Sequence, residues 1–168
     1  MLISLIVEAL AASEAETCSM ARIDYTGILL ATKDILEADS NIQQMRATVE
    51  LMRTTIPIDI SPHINIYEGR RDPSQQMLDM GTSQWYFFKW QLMVSAFSAA
   101  GFEDAGRQRD ELLGYVELAM MKSRNLGGFL ANKPLLLMGG DLHSMKVDNG
   151  LWATGTLDLR IELKATTT

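Results

Sequence analysis

From Leu157 to Lys164 apolar and charged residues alternate without a break, with Leu157, Leu159, Ile161 and Leu163 set against Asp158, Arg160, Glu162 and Lys164. A period of two is the mark of a strand with one buried face. The turn signal Asp148-Asn149-Gly150, followed by Leu151-Trp152, gives that strand its beginning. A second long strand is predicted over residues 85–98. Tyr86, Phe88, Trp90, Leu92, Val94 and Ala96 take one face, and Trp85, Phe87, Lys89, Gln91, Met93 and Ser95 take the other. The even face is expected to be core, while the odd face is amphipathic enough to meet a partner at its aromatic end. A third strand is predicted over residues 58–67 from Ile58, Ile60, Ile64 and Ile66; Pro62 interrupts it and places it near a strand start or at a sheet edge. The polar run Glu68–Gln76 between the second and third is too long for a tight hairpin and predicts a projecting loop or an extended hairpin arm.

Helical spacing fills much of the remainder. Leu2, Leu5, Ile6, Ala9 and Leu10 outline a short amphipathic helix over 2–12. Leu29, Leu36, Ile42, Met45, Val49 and Met52 recur mostly at three or four, predicting one bent helix or two shorter ones over 28–53. The break is expected near Asp39-Ser40-Asn41, with Ser40 as N-cap of the second piece. A third helix opens at Gly101-Phe102-Glu103-Asp104, carries Leu112, Leu113, Val116, Ala119 and Met120 on its buried side, and stops at Gly127-Gly128. Residues 134–138 and 144–147 flank Gly139-Gly140-Asp141 and are expected to form an irregular strand pair. Strands and helices do not alternate regularly, which argues for an α+β fold with a mainly antiparallel sheet in a single domain spanning 1–168. Trp85 and Trp152, each at a strand start, are expected to meet in the core, with a subunit contact for one of them as the alternative.

Composition narrows the partners. The chain has 168 residues, 47% of them hydrophobic and 21% charged, with a net charge of −6. That sign disfavours binding through phosphate neutralisation. No run is apolar and long enough to span a bilayer, and Met1–Val7 lacks the basic flank of a signal peptide. The single Cys18 excludes an internal disulfide, suits a reducing compartment and reads as small apolar filler. Eleven methionines, spread along the chain, suit adaptable core or interface packing better than metal binding.

No catalytic or cofactor motif emerges. His63 and His143 have no second ligand at metal spacing. There is no Gly-x-Ser-x-Gly elbow, and neither Gly127-Gly128 nor Gly139-Gly140-Asp141 continues into a phosphate loop. The acidic pairs Glu103-Asp104 and Asp110-Glu111 read as the solvent face of the third helix. Neither catalysis nor a cofactor or metal is expected. Arg70-Arg71-Asp72 reads either as a solvated tip or as an intersubunit ion-pair contact, a use to which arginine is suited.

Several segments together resemble the lambda-type tail terminator family of long-tailed bacteriophages. These are Pro62-His63-Ile64-Asn65-Ile66-Tyr67, the aromatic strand Gln84–Leu92, the helix Arg109–Met121, and Asp148-Asn149-Gly150-Leu151-Trp152 running into Leu157-Asp158-Leu159, together with the short first helix. Residues 20–55 depart from the family, which reaches its proline strand sooner, and read as a helical insertion. The resemblance implies a structural virion protein of the tail and neck, assembled in the host cytoplasm. Such a protein forms a homohexameric ring, caps the head-proximal end of the tail tube, stops its polymerisation and offers a surface to the head–tail connector. DNA would pass through the lumen without specific binding, as a negative lining favours. The expected contacts are the 68–84 segment with Arg70, Arg71, Asp72, Gln75 and Gln76, the aromatic end with Trp85 and Phe87, and the 122–150 region with Lys133 and Asp141. A head-completion or connector protein is the alternative within assembly; a cytoplasmic enzyme of unknown type and a peptide or small-molecule binding module stand outside it.

Overall fold

The computed structural model describes residues 23–52, 54, 61–78, 83–99, 102–128, 130, 134–147 and 149–166, with the backbone alone at 73–78, 83–86, 102 and 164–166. The predicted 2–12 helix lies outside the described residues.

The first described helix, α1, spans Tyr25–Ala38 and opens on the Asp24 carboxylate, which accepts the Gly27 amide at 2.8 Å. Ile28, Leu29, Thr32 and Leu36 form its buried stripe, and the Thr32 hydroxyl satisfies itself by donating to the Ile28 carbonyl. Helix α2, Ser40–Gln44, follows after one extended residue. Its N-cap is Asp39, not the expected Ser40. At ψ 124° Asp39 leaves the helix, and its Oδ1 accepts from Asn41 and Ile42, which leaves Ser40 as the first helical residue.

The helical spacing that continues through Val49 and Met52 does not continue in space. Arg46 turns left-handed at φ 55°, and the chain enters strand β1, Thr48–Leu51. Val49 still reaches the core from there, because a single apolar position satisfies either period. Strand β1 pairs in parallel with the start of β2, His63–Leu78, from Thr48↔His63 to Leu51↔Ile66. Pro62 thus stands immediately before β2, the position in which a proline removes no ladder bond.

Strand β3, Ser83–Ser98, runs antiparallel to β2 from His63↔Ser95 to Leu78↔Gln84, with irregularities between Glu68 and Arg71 and between Pro73 and Leu78. The polar 68–76 run is therefore the extended hairpin arm. At the first irregularity a β-carbon on Gly69 would stand 2.2 Å from the Lys89 carbonyl oxygen, so only glycine lets the two backbones approach.

Helix α3, Phe102–Lys122, carries Glu103 and Asp104 in its first turn and buries Leu112, Val116, Ala119 and Met120. The chain leaves it through a 3-10 turn at Leu126–Gly128, with Gly127 at φ 67° and Gly128 at φ 98°. Strands β4, Leu136–Gly139, and β5, Leu142–Val147, come next. They do not pair with each other as expected. Both pair with the last strand, β6, Gly150–Thr166. Strand β6 in turn matches β3 along its whole length, from Ser83↔Thr166 to Ser98↔Leu151. The result is an α+β fold with a six-stranded, mostly antiparallel sheet ordered β1-β2-β3-β6-β4, β5 lying beside β6.

The core lies between the helices and one sheet face. Phe88, Trp90, Leu92, Val94 and Ala96 of β3 are buried beside Ala153, Leu157, Leu159 and Ile161 of β6, as the alternation predicts. Phe88 stacks on Trp90 with centroids 5.3 Å apart and takes the edge of Tyr25 from α1 at 5.0 Å. Trp85 and Trp152 do not meet. Trp85 stands opposite Lys164 and Trp152 opposite Phe97, at the two ends of the same ladder.

Candidate assembly surfaces

Two surfaces and one buried polar cluster carry the groups that the core does not use. The cluster lies on the sheet face turned away from the helices. His63, Asn65 and Ser95 are each at most 1% exposed, and His63 Nε2 is 2.8 Å from Glu50 Oε2. A serine, a histidine and a carboxylate suggest nucleophile, base and orienting acid. The geometry does not assemble them, since Ser95 Oγ and His63 Nδ1 are both buried without a hydrogen-bond partner, so no nucleophile–base bond exists. The other histidine, His143, is exposed on β5. Among the described residues no group of His, Cys, Asp and Glu is arranged to hold a metal ion, and no helix is long and apolar enough to cross a membrane.

The first surface is the arm. Strand β1 accompanies β2 only to Ile66, and β4 accompanies β6 only to Arg160. Beyond those points β2, β3 and β6 continue as a three-stranded ribbon to Leu78, Ser83 and Thr166. At its base the Arg70 side chain is 82% exposed, with Nε 2.5 Å from Asp72 Oδ1, and Asp72 also faces Lys89 Nζ at 3.4 Å. Exposed pairs of this kind add little stability. Arg71, also exposed, lies against α1 instead, its guanidinium 3.8 Å from the centre of the Tyr25 ring and paired with Glu68. Phe87 is half-buried under the Arg160 guanidinium, which lies 3.5 Å over its ring. Gln75 and Gln76 fall in the irregular stretch of β2, and Trp85 in β3.

The second surface is the outer edge formed by β4 and β5. Leu136, Met138, Leu142 and Met145 leave 45–63% of their surface in solvent, on strands with no further strand beyond them among the described residues. The break between β4 and β5 is shaped by Gly140, where a β-carbon would come within 1.7 Å of the Thr156 carbonyl oxygen. Next to it Asp141 is exposed, its amide donating to Thr156 Oγ1 at 2.9 Å and its carbonyl accepting the Thr156 amide at 2.8 Å. Arg109 ties this edge to α3. It is 6% exposed, and its Nη1 donates to the His143 carbonyl and to Ser144 Oγ at 3.2 and 3.3 Å, while Asp110 holds the other side of the guanidinium at 2.8 Å. A hollow lined by Glu103, Gly106, Arg107, Arg109, Asp110 and Glu111 adjoins that tether. At its margin the Tyr115 hydroxyl, one turn along, donates to Glu111 at 2.9 Å, and that bond and charge raise the Tyr115 pKa.

Of the expected contact residues, Arg70, Arg71 and Asp72 thus cluster at the arm base, while Asp141 belongs to the opposite edge; Lys133 lies outside the described residues. The exposed apolar residues Leu136, Met138, Leu142 and Met145 were not singled out by sequence. The available signal was Leu135-Leu136-Leu137-Met138, which carries more apolar side chains than one half-buried strand can turn inward.

No protein-family model and no curated protein matches the chain. In fold it is similar to a chain solved in the virion of a native gene transfer agent (GTA) particle, with a TM-score of 0.51 over 86% of this chain and 100% of that one, at 15% identity.

Proposed function

We propose that this chain is a structural virion protein that acts as a tail terminator: a ring, of six copies by resemblance, that caps the head-proximal end of the tail tube, stops its growth and receives the head connector. The observation that carries the reading is the fold shared with a virion chain along that chain's entire length. The sequence resemblance supports it independently, and so does the molecule's economy. Its unusual features among the described residues are two separated surfaces suited to contact, while the grouping of Ser95, His63 and Glu50 lacks the serine–histidine bond that catalysis needs. The proposed partners are further copies of itself, the tube subunit and a connector.

Interrupting the gene in the particle that encodes it and imaging the products by electron microscopy tests this. Overlong, headless tails are expected. Tails of normal length detached from heads would move the protein to head completion, and intact particles would overturn an assembly role.

A further inference from the structure

The arm and the β4–β5 edge lie at different positions along the same strand. Strand β5 pairs with Gly150–Gly155 of β6, whereas the ribbon beyond the core is formed with residues 161–166. A chain therefore cannot lay its own arm along its own β5. The geometry points to a second copy as the occupant: the base of the arm of one copy docks against the β5 edge of the next. This rests on the assembly reading above and deepens it by naming the two surfaces that meet.

Three observations favour this occupant. Strand β5 is an outer strand whose side chains from Leu142 to Lys146 are all exposed, so its free side accepts an extended segment by strand addition. The arm supplies such a segment, since beyond Glu68, whose amide donates to Met52 Sδ at 3.4 Å, no described strand pairs with the outer side of β2. Charge is complementary as well. Arg70 projects from the arm base beside Asp72, and in the hollow that adjoins β5 the carboxylates of Glu103, Asp110 and Glu111 outnumber the guanidiniums of Arg107 and Arg109, of which Arg109 already holds Asp110. In the docked pair Arg70 meets that hollow, while Leu142 on the helix face and Met145 on the opposite face flank the added strand. Every copy then carries one arm and one edge, a heterologous arrangement that closes into a ring when the rotation closes.

The test is a mixing experiment read by light scattering after size exclusion, with circular dichroism to verify folding. The arm variant is Arg70→Glu, and the edge variant is Leu142→Lys with Met145→Lys. Each alone is expected to weaken self-association by about tenfold or more. An equimolar mixture is expected to form dimers and nothing larger, because only one intact arm and one intact edge remain in each pair. Combining Arg70→Glu with Glu111→Lys in one chain is expected to restore assembly, which loss of folding could not do. An arm variant that assembles like the parent chain, or an edge variant that alone forms dimers, would overturn the docking while leaving the ring intact. A parent chain that stays monomeric would overturn both.

Discussion

At one side of the sheet β1 runs for four residues, stops at Met52 with φ 56°, and turns Val49 into the core. At the other side β4 and β5 expose Leu136, Met138, Leu142 and Met145, and among the described residues no strand pairs with their outer edge. Proteins usually blunt their edges with short strands, charges or bends. Here one edge is blunted by brevity and by the packing of Ile42, Met45 and Ala47 around it. The other is short as well, with β4 of four residues and β5 of six, but it exposes apolar side chains where β1 buries Val49. The contrast teaches that apolar exposure is not general to the sheet's edges, because the same chain buries Val49 at the opposite one, and it is this difference that the proposed contact uses.

Four experiments would break or sharpen this contrast. The largest effect is expected from Val49→Asp at the closed edge, where an unpaired buried charge costs about 3–5 kcal/mol; Met145→Asp at the open edge should stay within about 0.5 kcal/mol. Urea denaturation of the two variants side by side checks this, and equal losses would mean that the edges are not different in kind. Gly140→Ala is expected to cost about 1–3 kcal/mol, because its β-carbon would press on the Thr156 backbone. Hydrogen exchange should then quicken across residues 136–147 and leave β1 unchanged.

Arg109→Met removes the tether between α3 and β5 while keeping much of the side-chain length. A loss of about 1–2 kcal/mol is expected, with faster exchange confined to β5, and Arg109→Lys should recover only part of it because one ammonium cannot replace the guanidinium fork. The smallest effect concerns the hollow. Glu111→Gln should bring the Tyr115 pKa back down toward 10.0, since the carboxylate at Glu111 favours the protonated phenol. A difference absorbance titration of tyrosinate reads it, and an unchanged titration would remove Glu111 as the cause. The sign follows directly: a phenol with a raised pKa binds its proton more tightly when folded, so its contribution is present at lower pH and is lost as pH rises through that pKa.

The long strands were legible because each has one buried face and enough residues to display the alternation. Phe88, Trp90, Leu92 and Val94, and Leu157, Leu159 and Ile161, are all core. Strand β1 was hidden because Met45, Val49 and Met52 also fit a helical stripe, and the residue that ends the helical path, Arg46 at φ 55°, is not a type that announces a turn. The Asp39 cap was missed by one residue, since aspartate and serine are comparable caps and only the backbone decides between them. The partner of β4 and β5 could not be read locally, because β6, which pairs with both, is specified by contacts distant in sequence. Among the residues of the proposed contact, Arg70 was visible as an arginine in a polar run. The row from Leu136 to Met145 was not, since apolar residues read as core until their exposure is known.

Strand β6 also acts as a ruler. Its 17 residues reach from the β5 end of the sheet to the far end of the ribbon, about 55 Å at the rise of an extended chain. The distance between the two proposed contact surfaces, and with it the span that each copy would contribute to the proposed assembly, is therefore written into the length of a single strand. Adding two residues to β6 and to β3 opposite would lengthen that span by about 7 Å and keep every side chain on its own face, whereas adding one would turn the core side of the added part outward. Span can thus change only in steps of two residues.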